Sequence, residues 1–258
     1  MICVGLCQNK EGINMFRKVI LFLLVGWGIS CSSPLFCAQF SPVFEESATV
    51  KRNELLLNQR PQMFKEEDGR PKATAGVLLY IYSKEGDAYL LLGRERIDLE
   101  ERKAAGKYSE FSGSMELVAP NKSETFLEGC LRECREETAS IYNLHPSYAL
   151  SKSYLYFDTK PQREIAIIII EAPKYVSPED LLLQRNAQKD IHMLDKDDFK
   201  WLKVRDFIHN KPNESGVITA KDLEGNSTTI PLRSFFLEYL KDENFLNILR
   251  QIDKKNAS

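Results

Sequence analysis

Three glutamates whose spacing places them on one side of a helix are the strongest chemical signal in the sequence. Glu133, Glu136 and Glu137 stand at positions i, i+3 and i+4, so on an α-helix their carboxylates share one face. Like charges this close repel one another unless a cation lies on them. Mg²⁺ prefers oxygen ligands and binds through a few carboxylates together with the oxygens of a substrate phosphate. The spacing therefore predicts a site for a hard divalent cation.

The residues around these glutamates predict how the helix would be held. Arg132 can reach Glu136 one turn further on, and Glu128 can reach Arg132, so the acidic face carries its own ion pairs. The opposite face is an apolar stripe that would pack on a core, formed by Leu127, Cys130, Leu131 and Cys134. Taken alone, the acidic face also fits an ordinary solvated helix surface.

The wider pattern resembles the catalytic box of the Nudix hydrolases, Gly-x5-Glu-x7-Arg-Glu-U-x-Glu-Glu-x-Gly-U, in which U is apolar. Its five charged positions are filled here, in order, by Glu124, Arg132, Glu133, Glu136 and Glu137. Upstream, the segment Phe-Ser-Gly-Ser-Met-Glu at residues 111–116 is similar to the strand and turn that precede the box in that family.

Both glycines of the pattern depart from the family. Val118 stands where the leading glycine is expected, and the best match, Gly113, lies eleven residues before Glu124. This displacement implies inserted residues around Leu117 to Lys122. At the end of the box, Ala139 replaces the closing glycine and Ser140 the last apolar residue.

The resemblance implies a fold and an activity. The fold is α/β, an α/β/α sandwich with a mixed sheet and the box helix against it, covering residues 73–252. The activity is hydrolysis of a pyrophosphate bond in a nucleoside diphosphate linked to another group, with Mg²⁺ or Mn²⁺ as cofactor. The departures at the glycines and the predicted export leave a second interpretation open, a catalytically inactive Nudix-fold module that binds a nucleotide or a protein.

The resemblance also implies roles for single residues. Glu133, Glu136 and Glu137 would act in catalysis as the metal ligands, joined by the carbonyl of Gly113. Arg132 would orient the carboxylates, and Glu124 would support the site. The general base is left open between Glu133 and an acid in the loop before Trp201, either Asp195 or Asp198.

Three further residues are candidates for contacts to the substrate. Arg94 and Arg96 leave a predicted strand and could reach a substrate phosphate, although a solvated strand end explains them as well. Tyr156 lies sixteen residues beyond the box, where relatives that cleave diadenosine polyphosphates tend to have a tyrosine. Its aromatic neighbours also fit simple packing. The sequence does not select a substrate.

The elements that must position these residues follow from strand and turn patterns. Strands are predicted at Ala73 to Tyr82 and Ala88 to Leu92, and a short one at Tyr108 to Gly113. Asn121 or Ser123 is expected to cap the box helix. Later segments are predicted as strands at 153–158, 163–172 and 199–204, one helical turn begun at residue 178, a helix begun at Asp206, and a long amphipathic helix at 231–252.

The amino-terminal residues have the order of a secretory signal peptide. Arg17 and Lys18 precede the apolar run Val19 to Ile29, and small residues follow. Eleven residues are short for a membrane span, which needs about 20. We therefore expect a signal peptide at 1–38, with translation starting at Met1 or Met15, and export to a bacterial periplasm or the medium. A lipid anchor at Cys31 and an uncleaved membrane anchor are the alternatives.

The composition of the chain indicates its domain organisation and its possible partners. A chain of 258 residues with 43% hydrophobic residues can build one sizeable core, preceded by a polar lead-in at 39–72 and followed by a tail at 253–258. A net charge of −2 gives no sign of a nucleic-acid-binding surface. The expected partner is a small nucleotide, with membrane contact only through the amino terminus, and a homodimer is left open. Cys130 and Cys134 are expected in the core without a disulfide.

Overall fold

The computed structural model describes residues 50–62, 64, 71–98, 103–120, 122–160 and 163–255. The predicted signal peptide, residues 39–49, 63 and 65–70 of the lead-in, and the last three residues of the predicted tail lie outside these residues. Residues from Val50 onward form one unit. Residues 50–57 are helical, and Leu57 is buried in the core, so this part of the lead-in packs on the domain.

From residue 71 onward, the described residues form eleven strands and six α-helices. The strands are β1 (Ala73–Tyr82), β2 (Ala88–Glu95), β3 (Tyr108–Ser109), β4 (Phe111–Ser114), β5 (Leu117–Ala119), β6 (Lys122–Ser123), β7 (Ser153–Lys160), β8 (Arg163–Glu171), β9 (Lys196–Lys203), β10 (Val217–Lys221) and β11 (Ser227–Pro231). The helices numbered from the box onward are α1 (Phe126–Glu137), α2 (Pro146–Lys152), α3 (Pro178–Asn186), α4 (Val204–His209), α5 (Ser234–Tyr239) and α6 (Glu243–Lys254).

A mixed seven-stranded sheet forms the centre of the domain. Its strands run in the order β3-β2-β1-β8-β7, with β4 also paired to β1 and β9 also paired to β2. Strands β1 and β8 are parallel, and the other pairs are antiparallel. Strand β8 contains the run Ile167–Ile170, which is fully buried, as expected for a central strand covered on both faces.

Alternate residues of the central strands feed two hydrophobic cores. Val77 and Leu79 of β1 pack in one core, together with residues of α1, α2 and α3. Leu78 and Tyr80 pack in the other, together with residues of α4, α5 and α6. Side chains of a strand point alternately to its two faces, so helices cover both sides of the sheet. The predicted α/β/α sandwich with a mixed sheet is confirmed.

Most predicted strands are confirmed, and several boundaries need correction. Strands β1, β7 and β8 begin at the predicted residues, whereas the short strand before the box divides into β3 and β4. The single long helix predicted at 231–252 is wrong, because β11 extends to Pro231 and Asp242 caps a second helix, α6. The β10–β11 hairpin was not predicted.

The insertion expected before the box forms a small hairpin. Strands β5 and β6 pair with each other, apart from the main sheet. Leu117 and Val118 are exposed on this hairpin, so it adds chain length between Gly113 and Glu124 without adding to the core. None of the helices in the described ranges has the length and apolar content to cross a membrane.

Candidate active site

Helix α1 is fixed at its start by a capping box. The Thr125 hydroxyl accepts a hydrogen bond from the Glu128 backbone N–H at 3.2 Å, and the Glu128 carboxylate accepts one from the Thr125 N–H at 2.7 Å. Thr125 is therefore the cap, and the predicted caps Asn121 and Ser123 are wrong. Glu128 caps the helix and lies 4.0 Å from Arg60, so the predicted pair of Glu128 with Arg132 is also wrong.

The apolar stripe of α1 packs as predicted. Cys130 and Cys134 are free thiols with no exposed surface, and burial raises the pKa of Cys130 to about 12. The helix packs against β1, β4 and β8. Its opposite, acidic face is thereby turned towards the end of strand β4, where Gly113 lies.

Arg132 connects the acidic residues of the box. Its guanidinium donates to both oxygens of Glu124, at 2.7 and 3.1 Å, to Glu133 at 2.6 Å and to Glu136 at 3.1 Å. It also donates to the carbonyl of Ser114 at 3.0 Å. Glu124 is buried and accepts a further bond from the Glu116 N–H at 2.9 Å. Arg132 thus links α1 to strand β4 and to Glu124, which lies two residues before the helix.

Glu133 lies directly against the backbone of Gly113. A Cβ at position 113 would come within 2.3 Å of Glu133 Oε1, which is closer than real Cβ contacts allow. Burial raises the pKa of Glu133 to about 7, although Arg132 acts in the opposite direction. A carboxyl group with such a pKa can exchange a proton near neutral pH.

Glu137 points into a buried ion cluster that was not predicted. Its Oε1 lies 3.3 Å from the ammonium of Lys196, which has no exposed surface and also contacts Glu95 at 2.7 Å. Arg233 pairs with Glu95 at 2.9 Å. Burial raises the pKa of Glu137 well above its ordinary value, and Lys196 opposes this shift. The other oxygen of Glu137 has no hydrogen-bond partner among the described residues.

These groups line one cleft of about 510 Å³. It brings together the predicted residues Gly113, Arg132, Glu133, Glu136 and Glu137. Glu124 lies behind them, bonded to Arg132. Asp195, one of the acids considered as a general base, also lines the cleft, together with His192 and Arg233.

Four other predicted residues do not line this cleft. Arg94 pairs with Asp197 at 2.7 Å, and Arg96 pairs with Asp98. The hydroxyl of Tyr156 donates to Asp242 at 2.9 Å, and its ring packs on Tyr239 and Phe245 in the core on the other face of the sheet. Asp198 accepts a hydrogen bond from the Tyr108 hydroxyl and lies in a different pocket.

The residues of the cleft offer oxygen ligands, the type that Mg²⁺ and Mn²⁺ prefer. The unpartnered oxygen of Glu137 fits this role. In the arrangement described, however, the carboxylates turn towards Arg132 and Lys196, and no three acidic, histidine or cysteine side chains in the described ranges converge as ligands of one ion. Cation binding would therefore require Glu133, Glu136 or Glu137 to change rotamer.

Lys196, Glu95 and Arg233 are the residues that sequence reasoning missed. They come from β9, from the end of β2 and from the turn before α5, far from the box along the chain. A lysine within a predicted loop, as residue 196 was, carries no sign of burial. Only the pairing of β9 with β2, with Lys196 opposite Glu95, brings it beneath the box helix.

No protein-family model and no curated protein matches the chain. Solved structures give distant matches. A diadenosine tetraphosphate (Ap4A) hydrolase from C. elegans is 12% identical, with 72% of this chain and 97% of that chain covered and a TM-score of 0.36. A MutT protein from Methanosarcina mazei is 14% identical, with 72% and 95% covered and a TM-score of 0.36. A Nudix hydrolase from Alicyclobacillus acidocaldarius is 14% identical, with 66% and 89% covered and a TM-score of 0.37.

Proposed function

We propose that this protein is a metal-dependent hydrolase that cleaves the pyrophosphate bond of a nucleoside diphosphate linked to another group. The observation that carries the proposal is the arrangement around Arg132. One guanidinium donates hydrogen bonds to Glu124, Glu133 and Glu136. The carboxylate of Glu133 also lies against the backbone of Gly113. Carboxylates concentrated on one wall of a cleft repel one another unless a cation is bound. A bound diphosphate would add further negative charge, which cations would have to offset.

Each residue has a definite task in this proposal. Glu133, Glu136 and Glu137 would hold Mg²⁺ or Mn²⁺, which when bound offsets charge on the diphosphate oxygens and acidifies a water molecule. Arg132 keeps the carboxylates in position, and Glu124 anchors Arg132. Glu133 and Asp195 both line the cleft, so they are the two candidates for the general base. Asp198, in a different pocket, is no longer one.

The second candidate is a module that binds a nucleotide without cleaving it. The observation in its favour is that Arg132 and Lys196 already pair with all four box glutamates. The positive charges of Arg132 and Lys196 can thus neutralise these carboxylates in place of a metal ion. No divalent ion would then be needed to neutralise the acidic face of the cleft.

One experiment separates the two functions. The purified protein is incubated with a panel of nucleoside diphosphate derivatives and Mg²⁺ or Mn²⁺, and phosphate-bearing products are measured. We expect turnover of at least one compound, abolished by a chelator. Folded protein that cleaves none of them, yet binds a nucleotide equally well with and without chelator, would overturn the hydrolase and establish the binding module.

A further inference from the structure

A second cavity, of about 230 Å³, adjoins the acidic cleft. Both cavities are lined by Ser112, Gly113, Ser114 and Arg233, so they meet along strand β4. The charges of the two cavities are opposite. The described residues that line the second cavity include Lys72, Arg163 and Arg233 but no carboxylate, whereas those of the first include six acidic side chains.

The two arginines of the second cavity lie over one aromatic ring. The guanidinium carbon of Arg163 lies 3.8 Å from the centre of the Phe235 ring, and that of Arg233 lies 5.4 Å from it. A guanidinium stacked on a ring keeps its N–H groups free at its edge for a bidentate contact. Phe235 thus fixes the position of Arg163 without using its hydrogen-bond donors.

The three cations differ in how far they are already neutralised. Arg233 pairs with Glu95, so part of its charge is committed to the buried cluster. For Arg163 and Lys72, neither side chain forms an ion pair with any carboxylate in the part of the chain that the structure describes. Both are only partly exposed. Partly buried cations without a counter-ion attract an anion more strongly than cations on an open surface, because screening by water is weaker there.

We propose that this cavity is a phosphate-binding subsite, formed by Arg163, Lys72 and Arg233. This subsite rests on the proposed function, because the phosphate that it binds would be part of the substrate of the hydrolase. A nucleoside diphosphate derivative would place its diphosphate in the acidic cleft and an additional phosphate monoester, on its far part, beside Arg163. The preferred substrates are therefore derivatives that carry a phosphate beyond the bond to be cleaved.

The test begins with inorganic phosphate and a chelator, so that neither turnover nor a divalent metal is involved. Binding is measured calorimetrically for the wild type, Arg163→Gln and Lys72→Gln. Arg205→Gln is the matched control, because Arg205 is an exposed arginine paired with Asp253 on another face. We expect each subsite variant to bind phosphate about tenfold or more weakly, the scale of one lost charge-assisted hydrogen bond, and the control to bind normally.

A second arm decides whether the phosphate is part of a substrate. NADP⁺ differs from NAD⁺ by one phosphate monoester, and both contain a pyrophosphate. Arg163→Gln should weaken binding of NADP⁺ but leave that of NAD⁺ nearly unchanged. Equal weakening of both dinucleotides, or binding of neither, would assign the cavity to free phosphate and overturn its place in the substrate site.

Two results would overturn the subsite altogether. One is a wild-type protein that does not bind phosphate. The other is equal phosphate affinity in Arg163→Gln and Arg205→Gln, with both proteins folded by circular dichroism. Phosphate binding that depends on Arg163, in a protein that hydrolyses nothing, would defeat the proposed hydrolase while leaving the subsite in place.

Discussion

At the scale of single residues, Glu136 is the box glutamate best suited to a test of metal binding. It is partly exposed in the cleft and accepts one hydrogen bond from Arg132, so its replacement should not unfold the protein. We expect Glu136→Gln to lower kcat by on the order of 10²-fold, the scale of losing one electrostatic contact made in the transition state. Steady-state turnover measures the fall in kcat, and titration with Mn²⁺ measures the accompanying loss of metal affinity.

Glu128→Gln is the control for this variant. It is the same substitution on the same helix, and glutamine can replace glutamate in a capping box. Only an exposed ion pair with Arg60 would be lost, with a cost of a few tenths of a kcal/mol. If Glu128→Gln reduced turnover as much as Glu136→Gln, the assignment of the metal-binding face would be wrong.

Gly113 is tested by adding a single methyl group. The Cβ of Gly113→Ala would overlap Glu133 Oε1, so the carboxylate must shift by about an ångström, a displacement that can cost on the order of 10²-fold in rate. We therefore expect a strong loss of kcat with little loss of stability, measured by kinetics and thermal unfolding. Ser114→Ala, on the same strand, keeps the carbonyl that Arg132 uses and should retain activity. A fully active Gly113→Ala would show that the contact with Glu133 is unimportant.

The residues of the box could be predicted from the sequence because their geometry is local. Three glutamates at helical spacing share a face in any helix, and the structure brings them into one cleft with Arg132 and Gly113. Lys196 could not be predicted in the same way. Its burial depends on the pairing of β9 with β2, a contact between residues about a hundred positions apart along the chain. Charge type alone predicts a solvated lysine.

At the scale of elements, the end of α1 contains a backbone conformation that is unfavourable for its residues. Ala139 and Ser140 have φ angles of 51° and 63°, in the left-handed region that costs residues with a Cβ about 1–2 kcal/mol. The Nudix pattern that this segment resembles has glycine at position 139, the residue for which a positive φ costs least. In this chain Ala139 adopts that conformation instead.

Replacing Ser140 by glycine should relieve part of this strain. The added freedom of glycine in the unfolded chain offsets about 0.4–1 kcal/mol, so we expect Ser140→Gly to raise the free energy of unfolding by about 0.5–1 kcal/mol. Ala139→Gly should gain less, because Ala139 is fully buried and its methyl contributes about 0.8 kcal/mol. Chemical denaturation measures both. A destabilised Ser140→Gly would mean that its side chain contributes more than the strain costs.

The elements themselves were predictable where one pattern dominated. The β-branched run of β8 and the aromatic residues of β7 indicated both strands, whereas the carboxy-terminal segment gave a continuous amphipathic pattern from Leu232 to Ile252. The break between α5 and α6 depends on the Asp242 side chain accepting a hydrogen bond from the Asn244 N–H at 2.8 Å. An aspartate within an apolar periodicity fits a helix interior or a cap equally well, so the pattern alone could not place the break.

At the scale of the whole molecule, the sheet separates two cores with different neighbours. The core that contains Cys130 and Cys134 supports the box helix directly. The core that contains Leu249 and Phe245 lies beneath α6 and is built around aromatic rings in edge-to-face and tilted contact. The residues of α6 line neither the acidic cleft nor the basic cavity. Stability should therefore depend on both cores, whereas turnover should depend mainly on the first.

Leu249→Ala tests this separation. Leu249 has no exposed surface, and truncating a buried leucine costs about 2–5 kcal/mol, from lost transfer energy and the cavity left behind. We expect a large fall in the free energy of unfolding, measured by denaturation. Well below the unfolding temperature, kcat for a substrate of the wild type should stay unchanged, because the cavity would open on the face of the sheet opposite α1. Leu183→Ala, at a mostly exposed leucine of α3, should change stability by less than about 0.5 kcal/mol. A large loss of kcat in folded Leu249→Ala would mean that the two faces are coupled through the sheet, and that the position of the box helix depends on both cores.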